Sequence, residues 1–498
     1  MTKYLLTLLV LLGSAFCGRA ENFVSQGAGS LSTAFANPGE LTTLSISGPI
    51  DARDIFFIDK SMTSLTSLDL SAAEITGYKG ATLNGLSEYA AGTIPAKAFM
   101  GSGLTNVTLP AAQGTVIGDA AFAGSALKSI DLGGNLSSVG DGAFSNCPNL
   151  TEATVGAAKL GDRVFASSPK LATVTLASVS EVPASAFAHC TALTEINGTD
   201  GVTVIGDKAF AGCTALESFN FGAALTSVGA EAFEGSALTS ADMQDCKKLE
   251  SIGNMAFASA TGLQSALMPE KAVTLGEGAF FGCTALKEIT LPADMSELPA
   301  YVFTADKALA NQNFLPEGTI SVGNYAMKDM TGVKSVTLPE SLEYIGDGAM
   351  EGMTGLESID AKSMKNVPEL GTDVWKGVDQ SAVELFVYSS MSDEYGAADQ
   401  WKDFKLMIVT GMDGVLAPTG DEETRVEGRF HGRELQLRSA GAEIMKVDVY
   451  NPSGALVVSA TPRATEANIS TEHAEGRIFI VQCTLSDGVR AAMKLVRP

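Results

Sequence analysis

Chemistry near neutral pH needs a group that titrates or attacks there, and the chain offers three histidines, His189, His431 and His473, and seven cysteines. His189 adjoins Cys190, the pairing a thiol nucleophile would want. The same place in neighbouring segments holds Asn146, Gly212 and Gly282, so His189 reads as a surface substitution and not as a catalytic base. Cys147, Cys190, Cys213 and Cys283 each stand three residues after a Phe and three before a Leu. That spacing marks one repeated structural position, filled by small buried thiols. No C-x-x-C, G-x-S-x-G, phosphate-binding loop, H-E-x-x-H or dinucleotide fingerprint occurs in the chain. Catalysis is therefore not expected, and neither is a cofactor or a metal. Lys and Arg total 33 against 57 Asp and Glu, a net charge of −24, which disfavours broad binding to nucleic acid or anionic lipid.

The elements that position these residues recur. An aromatic after a small residue appears at Phe99, Phe122, Phe144, Phe165, Phe187, Phe210, Phe233, Phe257, Phe280 and Phe303, and the series continues through Met327, Met350 and Trp375. The period is about 23 residues, which predicts a solenoid whose Phe side chains form an internal column. Each unit carries an L-x-x-V-x-L strand, as in Leu104 to Leu109, whose fourth and sixth positions face inward and whose third and fifth face out. The candidate contact residues are therefore Glu152 and Glu195 at third positions. At fifth positions they are Thr108, Asp131, Asn197, Asn220, Asp242, Thr290 and Asp360. A second pattern, G-D-x-A-F, as in Gly118 to Phe122, predicts a short helical turn with the Asp capping its free N–H groups. The fold expected is an α/β solenoid of about twelve such repeats, with a parallel sheet on the concave face and helical turns outside.

Residues 1–20 read as a signal peptide: Lys3 opens it, an apolar run from Leu5 to Leu12 follows, and Gly18-Arg19-Ala20 suits cleavage. Cys17 invites lipidation, but the bulky Phe16 before it favours cleavage after Ala20. The mature chain then keeps six cysteines, which in an exported protein could pair but whose spacing argues for buried free thiols, and no apolar stretch long enough to cross a bilayer. After Thr410 the composition changes. Residues 411–423, with Gly, Pro418 and three consecutive acids, read as a linker, and 424–498 as a small β-sandwich with turns at Asn451 to Gly454 and at Ser486 to Gly488. The expected order is signal peptide 1–20, N-terminal region and capping unit 21–95, repeat array 96–378, closing cap 379–410, linker 411–423 and sandwich 424–498.

The units resemble BspA-type leucine-rich repeats, whose pattern is similar to I-G-x-x-A-F-x-G-C-x-x-L, and Ile205 to Leu216 matches it almost throughout. Leu41 to Gly48 followed by Leu65 to Ser71 resembles the family's N-terminal capping unit, and Val387-Tyr388 with Tyr395 and Trp401 to Phe404 its closing segment. The resemblance implies a curved leucine-rich-repeat solenoid acting in adhesion or host contact. Val449 to Val457, Gly476 to Val481 and Lys494-Leu495-Val496 resemble the C-terminal sorting domain of type IX secretion cargo, with Phe479 where Tyr is usual. That implies passage through the periplasm and recognition by the type IX machinery. The reading as a whole is a secreted cell-surface protein that contacts protein partners, host extracellular-matrix or bacterial surface proteins, through a polar, acidic solenoid face. The alternative is a structural surface or biofilm-matrix protein acting by self-association.

Overall fold

The computed structural model describes residues 19–156, 159–270, 273–292, 295–310, 314–409, 426–439, 441–451, 455–473, 478–486 and 490–497. All but the last two residues of the expected signal peptide, the linker 411–423, and Pro452 to Gly454 and Asp487-Gly488 of the two sandwich turns lie outside them. The chain divides into two compact units, Met1–Glu357 with Pro368–Gln380 and Ser358–Val367 with Ser381–Pro498.

The first unit is a parallel-strand solenoid. Strands Arg19–Val24, Leu41–Ile50, Ser67–Ile75 and Asn106–Thr108 pair side by side and in parallel. The ladder resumes in Ser129–Asp131, Glu152–Val155, Thr173–Leu176 and Glu195–Asn197, then in Ser240–Asp242, Ser265–Leu267 and Glu288–Thr290. Alternation along these strands follows the sequence pattern: Ile130, Ala153, Val155, Val174 and Leu176 are buried, while Ser129, Asp131 and Glu152 are exposed. From residue 93 onward the turns of the array add a second short strand, among them Thr115–Ile117, Leu136–Val139 and Lys159–Leu160, which the repeat pattern did not announce. Parallel winding amounts to about 17 turns over the two units and not about twelve, because strands before residue 96 in the first and after residue 378 in the second obey the same parallel pairing.

Among the described residues no helix recurs outside the strands, which corrects the expectation of helical turns. The α-helices among the described residues are Ala52–Ser61, closed by a capping box of Asp51 and Asp54, and Ser392–Ala397. In the G-D-x-A-F segment the third position and the second residue after the Phe both take left-handed backbone angles: Ala120 has φ 52° and Gly124 φ 69°, Arg163 56° and Ser167 58°, Lys208 58° and Gly212 70°. Left-handed residues interrupt a right-handed helix after a single turn. Their N–H groups, and that of the Phe between them, reach across to the next turn of the solenoid instead. Ala120 donates to the Asp141 carbonyl at 2.9 Å, Phe122 to Ala143 at 2.8 Å and Gly124 to Ser145 at 2.8 Å. The expected Asp caps are corrected with them, since there is no helix end to cap. Asp119 Oδ1 accepts from the Asp141 N–H at 3.0 Å, and Asp141 Oδ1 from the Asp162 N–H at 2.9 Å, so the carboxylates tie one turn to the next.

The core is the expected column. Ten Phe rings from Phe99 to Phe303 stack with centroids 5.2–6.2 Å apart, and Met327, Met350 and Trp375 extend the buried series.

In the second unit, strands Ser358–Asp360, Glu384–Tyr388 and Lys405–Val409 pair in parallel. Beyond residue 425 the pairing turns antiparallel. One sheet holds Val426–His431, Glu434–Ser439 and Glu466–Ser470, the other Leu456–Ala460, Ile444–Tyr450, Ile478–Leu485 and Arg490–Val496. Leu435, Leu437, Val447, Val449, Phe479 and Val481 form their shared core.

Candidate protein-contact face

The outward positions of the ladder fall into two rows. Register places Asp131 level with Thr154, Thr175 and Asn197, while Glu152 and Glu195 flank Thr173 in the adjacent row. Asp242 and Thr290 lie in one row of the later ladder with Leu267 between them. Thr108 pairs level with Asp69 on the N-terminal side. Asn220 is exposed on a segment that forms no strand, and Asp360 sits in the second unit, half-buried, on its own ladder. The candidates are thus brought together in groups and not as one site. Sequence reasoning passed over Asp69, although Leu65 to Leu70 carries the same strand pattern with Asp at the fifth position.

The acids at fifth positions have a local task. Asp69, Asp131, Asp242 and Asp360 each accept a hydrogen bond from the backbone N–H two residues on, at 2.9, 2.9, 3.1 and 3.1 Å, which turns the chain as it leaves the strand. Hydrogen bonds from the Ser71 hydroxyl and backbone hold the Asp69 carboxyl below its usual range, against the effect of burial. Asp360 is also paired with Lys362 at 3.0 Å. Asn197 Nδ2 donates to Glu195 Oε1 at 3.0 Å and Asn220 Nδ2 to Asp200 Oδ1 at 2.8 Å, while Thr290 Oγ1 accepts from the Met268 N–H at 2.8 Å. Neither row, from Ser67 to Thr290, contains a lysine or arginine, so the face carries negative charge alone.

His189 and Cys190 diverge. The imidazole is exposed and packs over Gly212, where an added Cβ would meet Nδ1 at 2.5 Å. The Cys190 thiol is buried and donates to the Phe165 carbonyl at 3.3 Å, and burial pushes it up to about 12. Cys147, Cys213 and Cys283 make the same bond to Phe122, Phe187 and Phe257 at 3.4, 3.2 and 3.1 Å. These thiols are protonated donors inside the core, far from the thiolate character that nucleophilic attack requires. Among the described residues no group of three or more His, Cys, Asp or Glu is disposed to hold a metal ion, and no helix is long and apolar enough to cross a membrane.

The model of the BspA type leucine rich repeat region matches residues 92–197, 180–310 and 307–380, which together exceed half of the chain. The chain belongs to the BspA-type leucine-rich repeat family. Members of this leucine-rich repeat family are surface proteins, typically non-enzymatic scaffolds that bind other proteins. A leucine-rich repeat protein from Bacteroides ovatus shares the fold, with a TM-score of 0.54 at 19% identity over 76% of this chain and 86% of that one. A leucine rich cell surface protein from Faecalibacterium prausnitzii is 24% identical over 51% of this chain and 83% of its own, with a TM-score of 0.32. No curated protein matches the chain.

Proposed function

We propose that this BspA-type protein is a secreted, cell-surface adhesin-like molecule that contacts a basic region of a host extracellular-matrix or bacterial surface protein through its outward ladder rows. One observation carries the reading: exposed Asp131, Glu152, Glu195 and Asp242 occur on rows that hold no lysine or arginine. An unbalanced negative face attracts a basic partner from a distance, and repeated rungs engage it several times over. The same charge opposes face-to-face pairing of two copies at low salt, which favours adhesion over assembly into a matrix. Export by the segment 1–20, with cleavage after Ala20, and sorting by 424–498 through the type IX machinery belong to the same proposal, as do the linker 411–423 and the caps 21–95 and 379–410.

The test is capture of extracellular-matrix and bacterial surface proteins on the immobilised chain, alongside sedimentation of the chain alone. The triple variant Glu152→Gln, Glu195→Gln, Asp242→Asn keeps the turn at Asp242, because Asn can accept the same backbone N–H. Its association rate with a captured basic partner should fall, as should that of the wild type when salt is raised. An association rate that ignores both changes would reject the face. Self-association without capture would support the matrix role instead.

A further inference from the structure

Where the N-terminal ladder meets the next strands, the chain leaves a cleft of about 410 Å³. Its polar lining comes from the ends of three neighbouring strands and the turns after them: Asn106 and Thr108, Ser129 and Asp131, and Ser71 beside them. Leu109 and Ala111 supply an accessible apolar wall, with Pro110 and Leu132 buried behind it. The hydroxyls and the Asn135 amide can donate as well as accept, and the one charged group in the lining is the Asp131 carboxylate. Asn106 Nδ2 donates one hydrogen to Ser67 Oγ at 3.4 Å, and its carbonyl oxygen is an acceptor beside the cleft. Asp131 Oδ1 holds the Gly133 N–H at 2.9 Å, and its other oxygen makes no hydrogen bond among the described residues. Asp69 stands level with Thr108 on the neighbouring strand, and its Ser71 and Ser45 hydrogen bonds keep it ionised. No lysine or arginine lines the cleft.

We propose that this cleft seats one arginine or lysine side chain of the partner protein, its cationic head at Asp131, the Asn106 carbonyl and the hydroxyls, and its methylene stem along Leu109 and Ala111. Long basic side chains combine an apolar stem with a charged head, and the wall and the acceptors are divided in the same way. The inference rests on the protein-contact reading above and names the point on the face where a basic residue is held.

Ligand-observed NMR titration of the full chain tests it, with short blocked Gly-rich peptides that carry one central Arg, Lys, citrulline or norleucine. Citrulline keeps the shape of Arg without its charge. The Arg and Lys peptides should bind at least about tenfold more tightly than the citrulline and norleucine peptides, the ratio expected for one charge-assisted contact. Asp131→Asn retains the Gly133 turn and should weaken the basic peptides about tenfold, whereas Glu250→Gln, at an exposed acid outside both the cleft and the outward rows, should leave them unchanged. Equal losses in the two variants would overturn the cleft and assign the attraction to the overall negative charge of the chain. Capture of a partner protein with no binding of either basic peptide would overturn the cleft while leaving the acidic face standing as a whole. Putrescine binding more tightly than the Lys peptide would overturn the assignment to a side chain. Failure of both capture and peptide binding would remove the protein-contact reading as well.

Discussion

Asp306 occupies the place that Ser and Cys fill in other turns, three residues after the column Phe. It is fully buried, and neither carboxyl oxygen has a hydrogen-bond partner. Burial raises its pKa well above the ordinary value, which favours the neutral acid in the folded chain. The folded pKa exceeds the unfolded one, near 3.9, so the native state binds the proton more tightly. Its contribution to stability is full below about pH 4 and is lost as pH rises through the folded pKa. Asp306→Ser should remove that part of the slope and stabilise the chain at neutral pH by ~1–3 kcal/mol, the cost of a buried polar group left unpaired. Denaturant titrations at several pH values would show it. An unchanged slope would mean that Asp306 is not the neutral acid. Phe210 lies between Phe187 and Phe233, at 5.4 and 5.2 Å, and its replacement by Ala should cost ~3–5 kcal/mol by opening a ring-sized void. A loss below ~1 kcal/mol would mean that the column closes over the gap.

At the scale of one turn, glycine placement is a matter of backbone approach. A Cβ on Gly140 would lie 2.5 Å from Asp119 N and 2.4 Å from Asp119 Oδ1, whereas one on Gly235 meets nothing within 4 Å. Gly140→Ala should therefore destabilise more than Gly235→Ala, although only Gly235 has a left-handed φ, of 63°. Thermal unfolding of the two variants decides the order. The period and the inward and outward positions were legible because strand alternation depends only on residue class at fixed spacing. The turn was not. Gly-Asp before Ala-Phe suits a helix N-terminus equally well, and the left-handed residues include Ala120, Arg163 and Lys208, types that seldom adopt that conformation. What permits them is the neighbouring turn, which receives their N–H groups, and no local pattern carries that information. The candidate face was legible to the same degree: the rows of Glu152 and Asp131 followed from alternation. That Asp131 and Asp242 also close their strands required the hydrogen bonds.

Across the whole first unit, stability is shared between neighbours, because each turn is bonded to the turn before and the turn after and to little else. Charge is shared in the same way, so the outward rows act as an extended field and not as a point site. Raised salt should therefore slow association with a basic partner more than it changes the lifetime of the complex, which surface-based kinetics at two salt concentrations would resolve. The bonds from Ala120 to Asp141, Phe122 to Ala143 and Gly124 to Ser145 join one turn to the next, so within this unit they run along the solenoid axis. A tether pulled along that axis loads a few such bonds at a time and never all of them in parallel. Under tension the array should pay out turn by turn at low force. Each release should free about 23 residues, roughly 75 Å of contour length at ~3.4 Å per residue less the ~5 Å thickness of a turn. A protein built in this way would lengthen under shear before its grip on a surface is tested.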